Sequence, residues 1–398
     1  MRVLLVNKFL YPRGGAETYT RDLGDTLAER GHDVQYFGMY DAQNTMTNDA
    51  GLYVSPVDFH KRSLKAASYP FRIIYSREAY RKMLRLLRKF RPDIVHLNNF
   101  NYQVTPSVID AARDAGVPVV FTAHDSQFVC PNHLLYNPIR NTICTRCVKT
   151  GDVSWCWKTR CIHGSLGKSV LGTMEGKFYR RHDSYRWISK IICPSRFMKS
   201  VYDTRPGFRE KTVYLPNFVK PAERIRTERG DFVLYFGRIS PEKGIGNIIA
   251  AARAFPDIPF VLAGSGPDEG RLAGFPNVRF VGFQSGDALR RLIASARLVV
   301  LPSTCYENCP LAVIEAQQQG AAVLAPAYGG ARELVPFGIR SPRPEDFLSA
   351  LRKTYDDSGR LCRMRTDSLE RAGKYLTAGQ YAGRMEKLYE GVIGCSGN

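Results

Sequence analysis

Two carboxylates, Glu307 and Glu315, stand eight residues apart around the apolar run Leu311-Ala-Val-Ile314. Carboxylates accept hydrogen bonds from hydroxyl groups. Pro310 suits the first turn of a helix, where its missing N–H costs nothing. Glu307 is then expected on a loop at the helix mouth, and Glu315 a turn or so in. The free backbone N–H groups of the first turn, with Leu311 and Ala312 among them, add a positive dipole end. Such a site suits an anionic, polyhydroxylated ligand such as a sugar nucleotide. The plain alternative is an ordinary strand–loop–helix unit with surface acids.

Other segments carry compatible chemistry. Arg238 and Lys243 lie on one loop beside a helix expected to start near Pro241. A forked donor, a point charge and helix N–H groups together suit a diphosphate; surface ion pairing is the alternative. Gly14-Gly15 and Gly264-Ser-Gly266 each follow an apolar run, and glycines there allow close backbone approach to a phosphate or sugar. Val281-Gly282-Phe283 could pass backbone groups to a base. His124 ends the run Val119–Thr122 within Thr122-Ala-His-Asp125; a histidine there can touch a ligand, though a lone histidine is usually structural.

These loops need elements to hold them. Short β-branched runs alternate with amphipathic stretches along most of the chain. In the first half the expected strands are 3–6, 34–37, 94–97, 119–122 and 190–193. In the second half they are 232–236, 260–263, 278–281, 298–301 and 322–325. A helix over 16–30 ends at Gly31. Continuous apolar strands with helical crossovers predict parallel sheets covered on both faces, and two such series predict two doubly wound α/β domains. The expected domains are 1–216 and 217–375, with a Cys-rich insertion at about 129–171 and a C-terminal helix at about 376–398 that packs back on the first domain.

The net charge of +20 is uneven. Residues 1–220 hold 34 basic and 18 acidic side chains, and residues 61–91 hold 11 basic residues against Glu78 alone. Within that stretch Tyr80, Leu84, Leu87 and Phe90 recur at helical spacing among cations. The pattern fits a surface for anionic lipid head groups; a domain helix with a solvated basic face and a nucleic-acid contact are the alternatives. No segment approaches the length of a spanning helix, and residues 1–8 have too short an apolar run for a signal peptide. The expectation is a cytoplasmic protein, peripheral on the inner face of the membrane. Of 10 cysteines, Cys144, Cys147, Cys156 and Cys161 fall close together and could hold a structural zinc; free or redox-active thiols are the alternative.

Taken in order, Gly14-Gly15, His124, Arg238 with Lys243, Gly264-Ser-Gly266 and Glu307 with Glu315 resemble the retaining nucleotide-sugar glycosyltransferases of family 4 over essentially the whole chain. The resemblance implies a GT-B fold, two Rossmann-like domains facing across a cleft. It implies that Arg238 and Lys243 hold the donor diphosphate, and that Glu315 binds the ribose. Glu307 would contact the transferred sugar, and His124 would face it. Gly14 and Gly15 would approach donor and acceptor, and Phe283 would line the base pocket. Pro310 departs from the glycine often found there and removes one backbone donor, leaving Leu311 and Ala312 to supply theirs. The implied reaction moves a hexose from a UDP- or GDP-sugar to a glycan or lipid-linked acceptor of the cell surface, with no cofactor. The two cations replace a divalent ion, and no D-x-D motif is present to hold one. The competing readings are a basic nucleic-acid-binding protein, which lacks any reader motif, and a nucleotide-sugar epimerase of the same fold.

Overall fold

In the computed structural model, which describes residues 1–56, 69–220 and 222–396, the apolar runs form two separate parallel sheets. The chain divides into two units. The first holds Met1–Leu134, Thr145–Asn217 and Ala378–Asn398; the second holds Leu135–Cys144 and Phe218–Thr377.

The first unit begins with β1 (Arg2–Val6), α1 (Gly15–Glu29), β2 (Asp33–Phe37), α2 (Tyr69–Ile74), α3 (Arg77–Phe90), β3 (Ile94–Leu97), α4 (Ser107–Asp114) and β4 (Val119–Thr122). Then come the hairpin strands β5 (Tyr136–Asn137) and β6 (Thr142–Ile143), which group with the second unit. The chain continues through α5 (Arg146–Thr150), α6 (Trp155–Lys158), α7 (Leu166–His182), β7 (Ile188–Cys193), α8 (Arg196–Tyr202) and β8 (Thr212–Tyr214). The sheet order is β2-β1-β3-β4-β7-β8.

The second unit continues with β9 (Val233–Phe236), α9 (Ile245–Ala254), β10 (Phe260–Ala263), β11 (Val278–Phe280), α10 (Gly286–Ser295), β12 (Leu298–Val300), α11 (Leu311–Gln318), β13 (Val323–Pro326), β14 (Gly338–Ile339), α12 (Pro344–Tyr355) and α13 (Ser358–Ala372). Its order is β11-β10-β9-β12-β13-β14. Side chains alternate across the pleat. Tyr235, Leu262, Val300 and Leu324 enter one core, while Leu234, Val261, Val299 and Val323 enter another. Both faces are therefore covered, as a parallel sheet requires.

The last helix, α14 (Ala378–Ser396), belongs to the first unit. Glu386 takes a hydrogen bond of 2.6 Å from Arg30 Nε and lies 2.9 Å from His32 Nε2. Below that surface contact, Tyr381 and Tyr389 are wholly buried. Tyr381 meets Tyr19 at 2.7 Å between hydroxyls, and Tyr389 meets His96 Nδ1 at 2.6 Å.

Two expectations change. Of the basic stretch 61–91, residues 61–68 lie outside the described residues. In α3 the buried side chains are Ala79, Met83, Leu86, Leu87 and Phe90, with Tyr80 and Leu84 packed partly against them. Its apolar face is thus consumed by the core. The zinc reading of Cys144, Cys147, Cys156 and Cys161 is not supported: among the described residues no three His, Cys, Asp or Glu side chains gather as ligands. Cys161 instead donates to Cys156 at 2.9 Å, and Cys156 also meets Thr173 and Ser169.

Candidate functional site

The sheet of the second unit changes direction of build at β9 and β12, which are neighbours. Loops leaving two such strands part to opposite faces and leave a crevice at their carboxyl ends. After β9 the chain forms a 3-10 turn over Pro241–Lys243 and then, at Gly244, enters α9. After β12 it forms the loop 301–310. The two loops are stitched together by Thr304 N–H donating to the Glu242 carbonyl at 3.0 Å and Asn247 Nδ2 donating to the Pro302 carbonyl at 3.2 Å. Gly244 has φ +81, and a Cβ there would stand 1.9 Å from the Pro302 oxygen. Only glycine lets these loops come this close.

The stitching brings Lys243 Nζ to 2.7 Å from Glu307 Oε1, and Ser303 Oγ donates to the same oxygen. Glu307 is buried and Lys243 half-buried. Burial opposes the charge on Lys243, but the Glu307 carboxylate outweighs it and lifts its pKa above the usual lysine range. The nearby Cys305 thiol is pushed up to about 12, first by burial and then by Glu307. This is an ammonium held in place in advance, next to a carboxylate that has hydroxyl-accepting capacity.

Arg238 is exposed, and its loop is fixed from below by Tyr235, whose hydroxyl donates to the Arg238 carbonyl at 2.6 Å. Gly264 and Gly266 pack against that same loop. A Cβ at Gly264 would stand 1.8 Å from the Gly237 oxygen, and one at Gly266 would stand 2.2 Å from the Ile239 oxygen. Both glycines therefore serve to seat the loop carrying Arg238. Pro310 caps α11 in an extended conformation, without a side-chain hydrogen bond to the first turn. Leu311 and Ala312 open the helix, where N–H groups have no intrahelical acceptor. Glu315 lies in its second turn and is half-buried. Phe283 is 71% exposed.

Gly14, Gly15 and His124 belong to the first unit. Gly14 is the extended N-cap of α1, whose first residue is Gly15. Glu17 in the first turn is buried and accepts from Asn7 Nδ2 at 3.2 Å. His124 follows β4, and its Nε2 lies 3.0 Å from the Asn98 side-chain oxygen. An acceptor there puts the proton on Nε2. Tyr19 sits edge-on to the ring at 4.8 Å. Burial lowers the His124 pKa to about 3, so the imidazole is neutral near pH 7.

Sequence reasoning missed Ser303, Thr304, Cys305 and Tyr235, which carry no spacing signal. It also missed Tyr136. That side chain, on β5, is buried, hydrogen-bonds the Thr304 side chain and lies near Cys305 and Glu242.

The family described as Glycosyltransferase Family 4 matches residues 13–223, and that described as Glycosyl transferases group 1 matches residues 220–368. An uncharacterised glycosyltransferase of Methanocaldococcus jannaschii is 34% identical over 355 residues, covering 84% of this chain and 83% of that one. An uncharacterised protein of the cps region of Klebsiella pneumoniae is 24% identical over 351 residues, 84% of this chain and 87% of that one. The crystal structure of Anabaena HepE with UDP and glucose superposes with a TM-score of 0.68 at 16% identity, over 98% of this chain and 100% of that one. That likeness shows two Rossmann-like domains of the GT-B fold.

Proposed function

The chain belongs to glycosyltransferase family 4, and from that premise we propose that it is a retaining hexosyltransferase using a UDP- or GDP-sugar. The acceptor is a glycan, lipid-linked, of a cell-surface polysaccharide, and the reaction runs on the cytoplasmic face of the membrane. The observation that carries the reading is the Lys243–Glu307 pair at the β9/β12 switch point. The hard step in glycosyl transfer is departure of a nucleoside diphosphate as negative charge builds on it. Lys243, the Arg238 guanidinium and the N–H groups of Leu311 and Ala312 stabilise that charge without a metal. Glu307 accepts from sugar hydroxyls and Glu315 from the ribose. Gly14, Gly15 and neutral His124 are assigned to the sugar, and Phe283 to the base. The HepE complex with UDP and the relationship to a cps-region protein support a nucleotide donor and a glycan product. The basic balance of residues 61–91 supports an anionic membrane partner.

The test is a thermal-shift panel of UDP-, GDP- and dTDP-sugars, since a bound donor raises the melting point by mass action. One donor should stabilise the chain, and free nucleotide should appear only when a glycan acceptor is added. Release without acceptor, or interconversion of the donor sugar, would replace transfer by hydrolysis or epimerisation.

A further inference from the structure

The insertion after β4 carries a surface that lies outside the residues assigned to sugar transfer. From Arg146 to His182 there are eight Lys and Arg against two acids, Asp152 and Glu175. Glu175 is buried, so Asp152 is the acid that faces solvent. Arg146, Lys149, Lys158, Arg160, Lys168, Lys177 and Arg181 are all exposed.

Amid these cations α7 presents apolar side chains outward. Its inner face buries Ser169, Gly172, Thr173, Glu175 and Tyr179. Its outer face carries Leu166, Val170 and Met174, which are 48%, 38% and 51% exposed. A four-residue spacing stacks them in one line over successive turns. The same line continues into Lys177 and Arg181. The short helix α6 packs beside α7, and its Trp157 is 42% exposed. A helix with an apolar outer line bordered by cations has the make-up of an interfacial membrane helix.

We propose that this face of the insertion docks on a bilayer bearing anionic head groups. Leu166, Val170 and Met174 enter the acyl boundary, while Lys158, Lys168, Lys177 and Arg181 meet lipid phosphates. The helix α3 cannot do this, because its apolar side chains are spent in the core and it offers charge alone. A second copy of the chain is a poorer occupant. A two-fold contact would set the patch against itself and oppose like charges. Lipid supplies both an apolar phase and opposite charge. The inference would put a lipid-linked acceptor within reach, but its test needs neither donor nor acceptor, so it stands or falls apart from the transfer reading.

The test is flotation of the full chain with phosphatidylcholine vesicles and with vesicles containing phosphatidylglycerol. The expected result is recovery with the anionic vesicles and a blue shift of tryptophan emission. The triple variant Leu166→Ser, Val170→Ser, Met174→Ser should keep its melting point and partition about tenfold less or weaker still. A triple variant that stays folded and floats like the parent overturns the assignment of the face. So does a parent chain that remains unbound to both vesicles, or one whose patch instead forms dimers that the triple variant abolishes.

Discussion

Lys243 and Glu307 are 64 residues apart in sequence, and their charged atoms meet at 2.7 Å. The distance is set by the register of β9 beside β12, where Leu298 pairs with Val233 and Val299 with Leu234. Each strand delivers its loop to the same end of the sheet, and Gly244 lets the loops touch. Ser303 Oγ donates to the same carboxylate oxygen. An anionic ligand entering here meets an ammonium already oriented, so little ordering is left to do at binding.

Replacing Lys243 by alanine should lower kcat/KM for transfer by on the order of 100-fold or more, the usual effect of losing one charge-stabilising donor. Steady-state assays with the donor identified by thermal shift check this. Turnover at the parental rate would remove Lys243 from the diphosphate site.

The same pair has a stability signature. Removing one partner strands the other, so Lys243→Ala and Glu307→Ala should each cost roughly 1–3 kcal/mol, less than for a fully buried pair because Lys243 retains some water. The double variant should cost less than the two added together, a coupling that urea unfolding can measure. Additive losses would mean that the contact contributes nothing in solution.

Much of this architecture is legible in the sequence, for a physical reason. Buried parallel strands must be apolar throughout, so Val233–Phe236, Phe260–Ala263 and Val323–Pro326 announce themselves. β8 and β14 do not, because Thr212–Tyr214 and Gly338–Ile339 are too short to form a pattern. The amphipathic period of α3 is visible, but period alone does not say whether the apolar side meets lipid or protein. The pairing of Glu307 with Lys243 depends on strand order, which no local motif encodes. The cysteine spacings suggest zinc, but spacing does not say whether thiols turn toward a shared ion or toward one another, as Cys161 does toward Cys156.

At Gly264 the backbone has φ +151 and a Cβ would collide with the Gly237 carbonyl. Gly264→Ala should therefore shift the Arg238 loop and lower stability by about 2 kcal/mol or more. Gly274→Ala is the control: φ is +90 there, but nothing lies within 4 Å of the added carbon. The control should lose only about 1 kcal/mol from backbone strain. Equal melting points for the two variants would contradict the packing role assigned to Gly264.

Tyr136 reaches the loop 301–310 from the hairpin β5–β6, through Thr304. If that loop binds the donor as proposed, Tyr136 positions it. Tyr136→Ala should raise the donor KM severalfold with little change in kcat, whereas Tyr136→Phe, which keeps the ring, should fall between. Calorimetry with the donor separates this from a folding defect. Unchanged donor affinity in the alanine variant would detach the hairpin from the site.

Glu175 supplies a pH test. It is buried on the inner face of α7, and burial, with a smaller contribution from Cys156, raises its carboxyl from 4.5 to about 8. Between those values the unfolded chain has released the proton and the folded chain still holds it. The folded state then binds more protons, so stability falls as pH rises from 4.5 towards 8. At pH 7 the accumulated cost is of the order of 3 kcal/mol, since every pH step of one within that interval removes about 1.4 kcal/mol. Glutamine is the neutral isostere and carries no such cost. Glu175→Gln should therefore match the parent near pH 4.5 and become progressively more stable above it. Melting curves of the two proteins from pH 5 to pH 8 give the difference directly. Curves that stay parallel across that range would show that Glu175 is already ionised in the folded chain, with water or a cation reaching it inside the insertion.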